Sequence, residues 1–201
     1  PVTAISNTID QLTGYSPHAS GSIINKEIYH NIRDGKIIEY EDVDKKRVQE
    51  TIKFIDFNHP GRNDFLAVSQ MTIKGSHGVR RPDILIYVNG LPLVFIELKN
   101  STVQLKSAHD KNLKDYKDDI PHLFYYNAFC MLSNGIETRI GSNEAPWEYF
   151  FPWLRPEDET EKIDPDQIRE NGTSIERAVA GLCAKDKLLD YYENFILYDE
   201  D

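Results

Sequence analysis

The sequence predicts a mixed α/β domain: a mixed central β-sheet flanked by helices, with a helical appendage at the C-terminal end. Three observations carry this. Asn89-Gly90 lies between two apolar, β-branched runs, a charged stretch free of Pro and Gly follows them, and a second pair of strand-like runs comes after that stretch.

Residues up to about 35 mix polar side chains with a short helical pattern and are the least readable part. Asp42 to Phe54 reads as a helix or a helix giving way to a strand. Asn58 to Asp64 is turn-rich and reads as a loop. Phe65 to Ile73 is strand-like and leads into a polar loop, Lys74 to Arg81. Asp83 to Val88 and Leu93 to Leu98 then flank Asn89-Gly90-Leu91-Pro92. Asn and Gly both tolerate positive φ, so this is a strong hairpin signal. Ser107 to Asp118 is predicted helical, and Pro121 marks its end. Phe124 to Leu132 and Ile136 to Ile140 form a second strand pair joined through Ser133-Asn134-Gly135. Arg155 to Asn171 is acidic and irregular, and Thr173 with Glu176 has the spacing of a capping box opening a helical region through Phe195. On this reading residues 1–154 form the main domain, and 155–201 an acidic linker with a helical segment.

At 201 residues the chain can bury one substantial core. Hydrophobic residues make up 40% and charged residues 28%, an ordinary balance for a soluble globular protein. No apolar run approaches the roughly 20 residues that cross a bilayer, and Pro1 to Ile5 lacks the basic and apolar parts of a signal peptide. A cytoplasmic location without membrane contact is therefore expected, in a chain trimmed of its initiator Met. Cys130 and Cys183 lack metal-site spacing, and Cys130 in its apolar run fits a buried reduced thiol better than a disulfide. The net charge of −10 argues against a general nucleic-acid binder. A nucleic-acid enzyme with this charge would take its grip on the polymer from partners or other domains.

Strand geometry gathers the chemistry-bearing residues. Alternation puts Val94, Ile96 and Leu98 on one face as core, and Phe95, Glu97 and Lys99 on the other. Closing the hairpin lands Asp83 opposite Ile96 or Leu98, within one position of Glu97. The register, or a β-bulge, decides whether the acids are direct or diagonal neighbours. Two carboxylates so close repel unless a cation lies between them, and few hard oxygen ligands suit Mg²⁺. Lys99 beside them can orient a metal-bound water and offset charge on a phosphate under attack. An isolated Glu-x-Lys is ordinarily a surface ion pair of little consequence. Here placement makes the difference, because Pro82-Asp83 opens one arm of the hairpin and Glu97-Leu98-Lys99 closes the other.

The stretch from Arg81-Pro82-Asp83 through Asn89-Gly90 to Glu97-Leu98-Lys99-Asn100 resembles the nuclease core of Type I restriction enzyme R subunits, members of the PD-(D/E)xK superfamily. The similarity takes in Ile55-Asp56-Phe57, Asn63-Asp64-Phe65, Ile120 to Phe124, Ser133-Asn134-Gly135, Arg139 to Ser142, Pro152-Trp153, Leu188-Leu189-Asp190 and Asn194 to Leu197. It implies a restriction-endonuclease-like fold, with Asp83, Glu97 and the Leu98 carbonyl holding Mg²⁺ and Lys99 as the catalytic lysine. A Gln-x-x-x-Tyr motif of the family falls on Asn112 and Tyr116, with Asn112 shorter by a methylene. Related folds use another acid from an early helix, for which Glu27 is an unassigned candidate. Arg80 and Arg81, with His77, lie in the loop before Asp83 as candidate contacts to DNA phosphate. His59 and His109 are expected on the surface.

The resemblance further implies the N-terminal endonuclease domain of a larger chain. That domain would cut duplex DNA under the control of ATP-driven translocation by a motor, with methyltransferase and specificity subunits as partners. No G-x-x-x-x-G-K-[ST] occurs, so ATP would be used by the motor domains and not within these residues. Two alternatives stay open: a stand-alone PD-(D/E)xK repair nuclease, and a nuclease-derived docking domain that no longer cuts.

Overall fold

The structure, a computed structural model, describes residues 9, 19–153 and 173–198. Helix α1 (Gly21–Asp34) is capped by the Ser20 hydroxyl, which accepts from the Ile23 amide at 3.4 Å. Helical spacing puts Ile24, Ile28, Tyr29 and Ile32 on its buried face. The chain turns at Gly35, with φ 88°, into strands β1 (Lys36–Glu41) and β2 (Arg47–Ile52). These form a separate antiparallel hairpin, so the expected helix or helix-to-strand transition from Asp42 to Phe54 is corrected. The turn is built locally. Asp42 Oδ1 accepts from the amides of Asp44 and Lys46 at 2.8 and 2.9 Å, and Lys45 takes φ 59°.

The main sheet has six strands in the order β10-β9-β8-β7-β6-β3. Its members are β3 (Phe65–Ser69), β6 (Ile84–Val88), β7 (Leu91–Leu98), β8 (Phe129–Ser133), β9 (Thr138–Gly141) and β10 (Phe151–Pro152). The expected strand from Phe65 to Ile73 breaks after Ser69. Ile73–Lys74 (β4) instead pairs with Val79–Arg80 (β5) in a minor hairpin. All neighbours in the main sheet are antiparallel except β7 and β8, which run parallel. A parallel pair needs a crossover. Here Ala108–Leu113, wound as π turns, continues into α2 (Lys114–Asp119) and a 3-10 segment, Pro121–Tyr126. That segment occupies the start of the expected strand from Phe124 to Leu132, where Pro121 favours a helical first turn.

Helices cover both sheet faces. One face carries Val88, Leu93, Val94, Ile96, Phe129 and Met131 against α1 and the C-terminal helices α3 (Ser174–Leu182) and α4 (Lys185–Asp190). The other carries Leu85, Phe95, Cys130 and Leu132 against Leu113, Tyr116 and Phe124 of the crossover. Strand β7 is therefore buried on both sides, and each such side chain contributes about 1.5–3 kcal/mol. Leu98 departs from the core expected of it, at 39% exposure. The capping box opening α3 forms as predicted, with the Thr173 amide and hydroxyl donating to Glu176 at 2.6 and 2.9 Å. Ala178, Leu182, Leu188, Leu189 and Tyr192 pack into the core of the sheet domain. The acidic segment from Arg155 to Asn171 lies outside the described residues.

Candidate active site

The hairpin of β6 and β7 sets the site. Its turn is Asn89-Gly90 alone, both at positive φ, with Val88 paired to Leu91 and Tyr87 to Pro92. The register then shifts, and Ile86 pairs with Val94, leaving Leu93 as an extra residue. Pro92 has no amide to give to a regular ladder there. The carbonyl of Leu93 instead accepts from the Ala128 amide at 2.7 Å and from Asn127 Nδ2 at 3.2 Å. From that bulge the pairs run Leu85 with Phe95 and Ile84 with Ile96, so the next position outward sets Asp83 across from Glu97. Opposite residues project to the same face, here the one bearing Phe95 and Tyr116.

Hydrogen bonds fix the carboxylates in place. Asp83 Oδ2 accepts from the Leu98 amide at 2.8 Å, tying the acid to the strand that carries Glu97. Lys99 Nζ donates to Glu97 Oε1 at 2.6 Å, while Glu97 Oε2 is buried and has no hydrogen-bond partner. Glu97 is only 3% exposed. Burial pushes its carboxyl above the usual carboxylate range, Lys99 opposes that shift, and the charge of Asp83 adds to it. Tyr116 donates to the Arg81 carbonyl at 3.1 Å and packs edge-on against Phe95 at 5.1 Å. Burial, then the charges of Glu97 and Asp83, drive the phenol well above its ordinary value.

The structure thus brings together Asp83, Glu97, Lys99 and Tyr116 and leaves other candidates aside. Asn112 lies in the π-wound turn, half-buried, and its side chain makes no hydrogen bond among the described residues. Arg80 is held by Asp119 at 2.5 Å and Asp115 at 3.5 Å, over the Tyr116 ring. Arg81 is exposed and its Nε donates to Gln70 Oε1 at 2.8 Å. His77 touches Ser76 and the Asp118 carbonyl. Glu27 is exposed on α1, whose buried side packs against the opposite sheet face. His109 is corrected from surface to part-buried, bonded to the Ala145 carbonyl at 2.9 Å and packed against Phe150, whereas His59 is exposed beside Asp56.

Sequence reasoning missed Gln70. Its Nε2 donates to Asp83 Oδ1 at 2.5 Å, and a lone Gln after a strand carries no signal that would reveal this.

Among the described residues no group of three or more His, Cys, Asp or Glu side chains could hold a metal. The donor set is instead two carboxylates, with one buried oxygen unsatisfied and the nearest ammonium engaged with the other. An orphaned carboxylate oxygen beside a second acid fits a hard divalent cation that keeps most of its water.

A mixed sheet between helical layers, with acids and an amine gathered near the end of its central strand, is a nuclease-like α/β core. The family described as Type I restriction enzyme R protein N terminus matches residues 5–149, and the chain belongs to it. It is 37% identical over 181 residues to the Type I restriction enzyme HindI endonuclease subunit of Haemophilus influenzae, covering 88% of this chain and 17% of that protein. It is 30% identical over 190 residues to the putative type I restriction enzyme MjaIXP endonuclease subunit of Methanocaldococcus jannaschii, covering 87% of this chain and 18% of that protein. A Staphylococcus saprophyticus relative, the Type I restriction enzyme SsaAORF53P endonuclease subunit, is 33% identical over 105 residues, 51% of this chain and 11% of its own length. The chain thus spans under a fifth of the length of these curated relatives. Among the described residues no helix is long and apolar enough to cross a membrane.

Proposed function

We propose that this chain is the DNA-cleaving domain of a Type I restriction R subunit, hydrolysing phosphodiester bonds of duplex DNA with Mg²⁺. The observation that carries the reading is Asp83 standing one step beyond the Ile84–Ile96 pair, bound to the Leu98 amide beside Glu97, with Glu97 Oε2 buried and without a hydrogen bond. Asp83, Glu97 Oε2 and the Leu98 carbonyl would hold the ion, the carbonyl by family resemblance. When bound, it supplies Lewis acidity toward the phosphate and a water ionised near neutral pH.

The chain's own groups do the rest. Lys99, 2.6 Å from Glu97 Oε1, places a positive charge where negative charge builds on the phosphate. Asp83 is kept in register by the Leu98 amide, so both acids face the same region. Tyr116, whose proton is held tightly by burial and the two acids, acts as a hydrogen-bond donor that anchors the Arg81 carbonyl and not as a base.

By family membership the rest of the protein would contain an ATP-driven motor, and the assembly methyltransferase and specificity subunits, in the cytoplasm. The net charge of −10 fits a cutter brought to DNA by such partners. The test uses the assembled complex. Glu97→Ala and Lys99→Ala are each expected to abolish DNA cleavage while leaving DNA-stimulated ATPase intact. Loss of ATPase or of folding in both variants, or full cleavage by either, counts against these roles.

A further inference from the structure

Gln70 follows β3 in a left-handed conformation, φ 54°, that side chains other than Gly and Asn seldom adopt. Its amide donates to the Asp83 carbonyl at 2.9 Å, which continues the β3–β6 ladder one step beyond Ser69 and Ile84. The row across the sheet thus reads Gln70, Asp83, Glu97. The side chain then bridges two charged groups, with Nε2 donating to Asp83 Oδ1 at 2.5 Å and Oε1 accepting from Arg81 Nε at 2.8 Å. The orientation of the amide is forced by chemistry, since a guanidinium can only donate and an ionised carboxylate can only accept. Both oxygens of Asp83 are consequently held, one by the Gln70 amide and the other by the Leu98 backbone. Among the described residues the terminal nitrogens of Arg81 have no partner.

We propose that Gln70 is a positioning residue for the candidate active site: its amide fixes the rotation of the Asp83 carboxylate and couples it to the Arg81 guanidinium beside the metal-binding edge. The inference rests on the reading of Asp83 and Glu97 as ion ligands. A carboxylate held at both oxygens presents its remaining lone pairs in one direction, so ion binding loses no further rotational freedom. Arg81 keeps its outer nitrogens for a phosphate, and the same amide passes any displacement of that guanidinium to the ligand. Gln70 itself touches neither ion nor substrate in this arrangement.

The experiment measures Mn²⁺ binding to the 201-residue chain by calorimetry and by the electron paramagnetic resonance of the free ion. Variants are Gln70→Gly, Gln70→Glu and Asp83→Ala, with thermal melting of each. Gln70→Gly removes the amide while suiting the left-handed backbone, so its melting temperature should be held or raised. Its Mn²⁺ affinity should fall about 10–100-fold, the usual effect of deleting a partner that orients a ligand. Gln70→Glu keeps the shape and the Arg81 bond but removes the donor. A return to within about twofold of the unmodified affinity there would show that the added charge matters and orientation does not, which overturns the proposal. Unchanged Mn²⁺ affinity in a folded Gln70→Gly also overturns it. Asp83→Ala separates the two levels: if the unmodified chain binds no Mn²⁺, or binds it equally well without Asp83, the ligand reading fails and takes this inference with it. If Asp83→Ala abolishes binding and Gln70→Gly does not weaken it, only the inference fails.

Discussion

Replacing Lys99 with Met tests the electrostatics of the site apart from catalysis. Met keeps most of the aliphatic stem and deletes the ammonium, so Glu97 loses its one ion-pair partner and keeps only the neighbouring Tyr116 hydroxyl to offset its charge. Breaking a buried pair by removing one member costs about 3–5 kcal/mol. The Lys99 side chain is 20% exposed while that of Glu97 is 4% exposed, so solvent weakens the pair, and we expect a loss of about 2 kcal/mol at pH 8. The pH dependence follows from the carboxyl. Burial already raises the Glu97 pKa against the opposition of Lys99, and deleting the lysine raises it further. A group with a raised folded pKa gives stability that is complete below its unfolded value and lost as pH climbs through the folded one. Variant and parent should therefore nearly coincide in acid and diverge as pH rises. Urea unfolding at pH 5 and pH 8 measures this, with Lys99→Met/Glu97→Gln as the control that removes the bare charge. An equal deficit at both pH values, or a double variant no more stable than the single one at pH 8, refutes the reasoning.

Two further substitutions probe how the loop before Asp83 is held. At Gly75 a Cβ would overlap the Asp119 carbonyl oxygen, so Gly75→Ala should separate the β4–β5 hairpin from α2, lower stability by about 2 kcal/mol or more, and expose the Gly75 amide to faster hydrogen exchange. Arg80→Ala removes the bonds to Asp119 and Asp115 and the contact over Tyr116. At this part-exposed position it should cost about 1 kcal/mol, most of it vanishing in 1 M salt, as equilibrium unfolding with and without NaCl would report.

The sequence made the hairpin and its three charged residues legible because each depends on local rules: Asn89-Gly90 permits positive φ, and alternation assigns Glu97 and Lys99 to one face. The capping box at Thr173 and Glu176 is legible for the same reason. Where partners are distant the reading fails. The β1–β2 hairpin turns on Lys45 rather than on a Gly, and its strands are mostly exposed, so no apolar alternation marks them. His109 looks like surface until Phe150 and Ala145 fold over it. The spacing of Asn112 and Tyr116 implies a shared helical face, but the π winding through Leu113 changes the rotation between turns. Gln70 reaches Asp83 only because β3 and β6 pair.

The extra residue at Leu93 makes the meeting of the acids a question of odd and even. From a tight Asn89-Gly90 turn with uninterrupted pairing, Asp83 would stand across from Ile96, and Glu97 would be turned into the apolar layer of Ile28 and Ile32. One surplus residue anywhere between the arms restores the match. A turn longer by a single position could therefore do without the bulge, whereas lengthening the turn while keeping it would strand a carboxylate in oil. Loop length and bulge are interchangeable here, and only their sum is constrained.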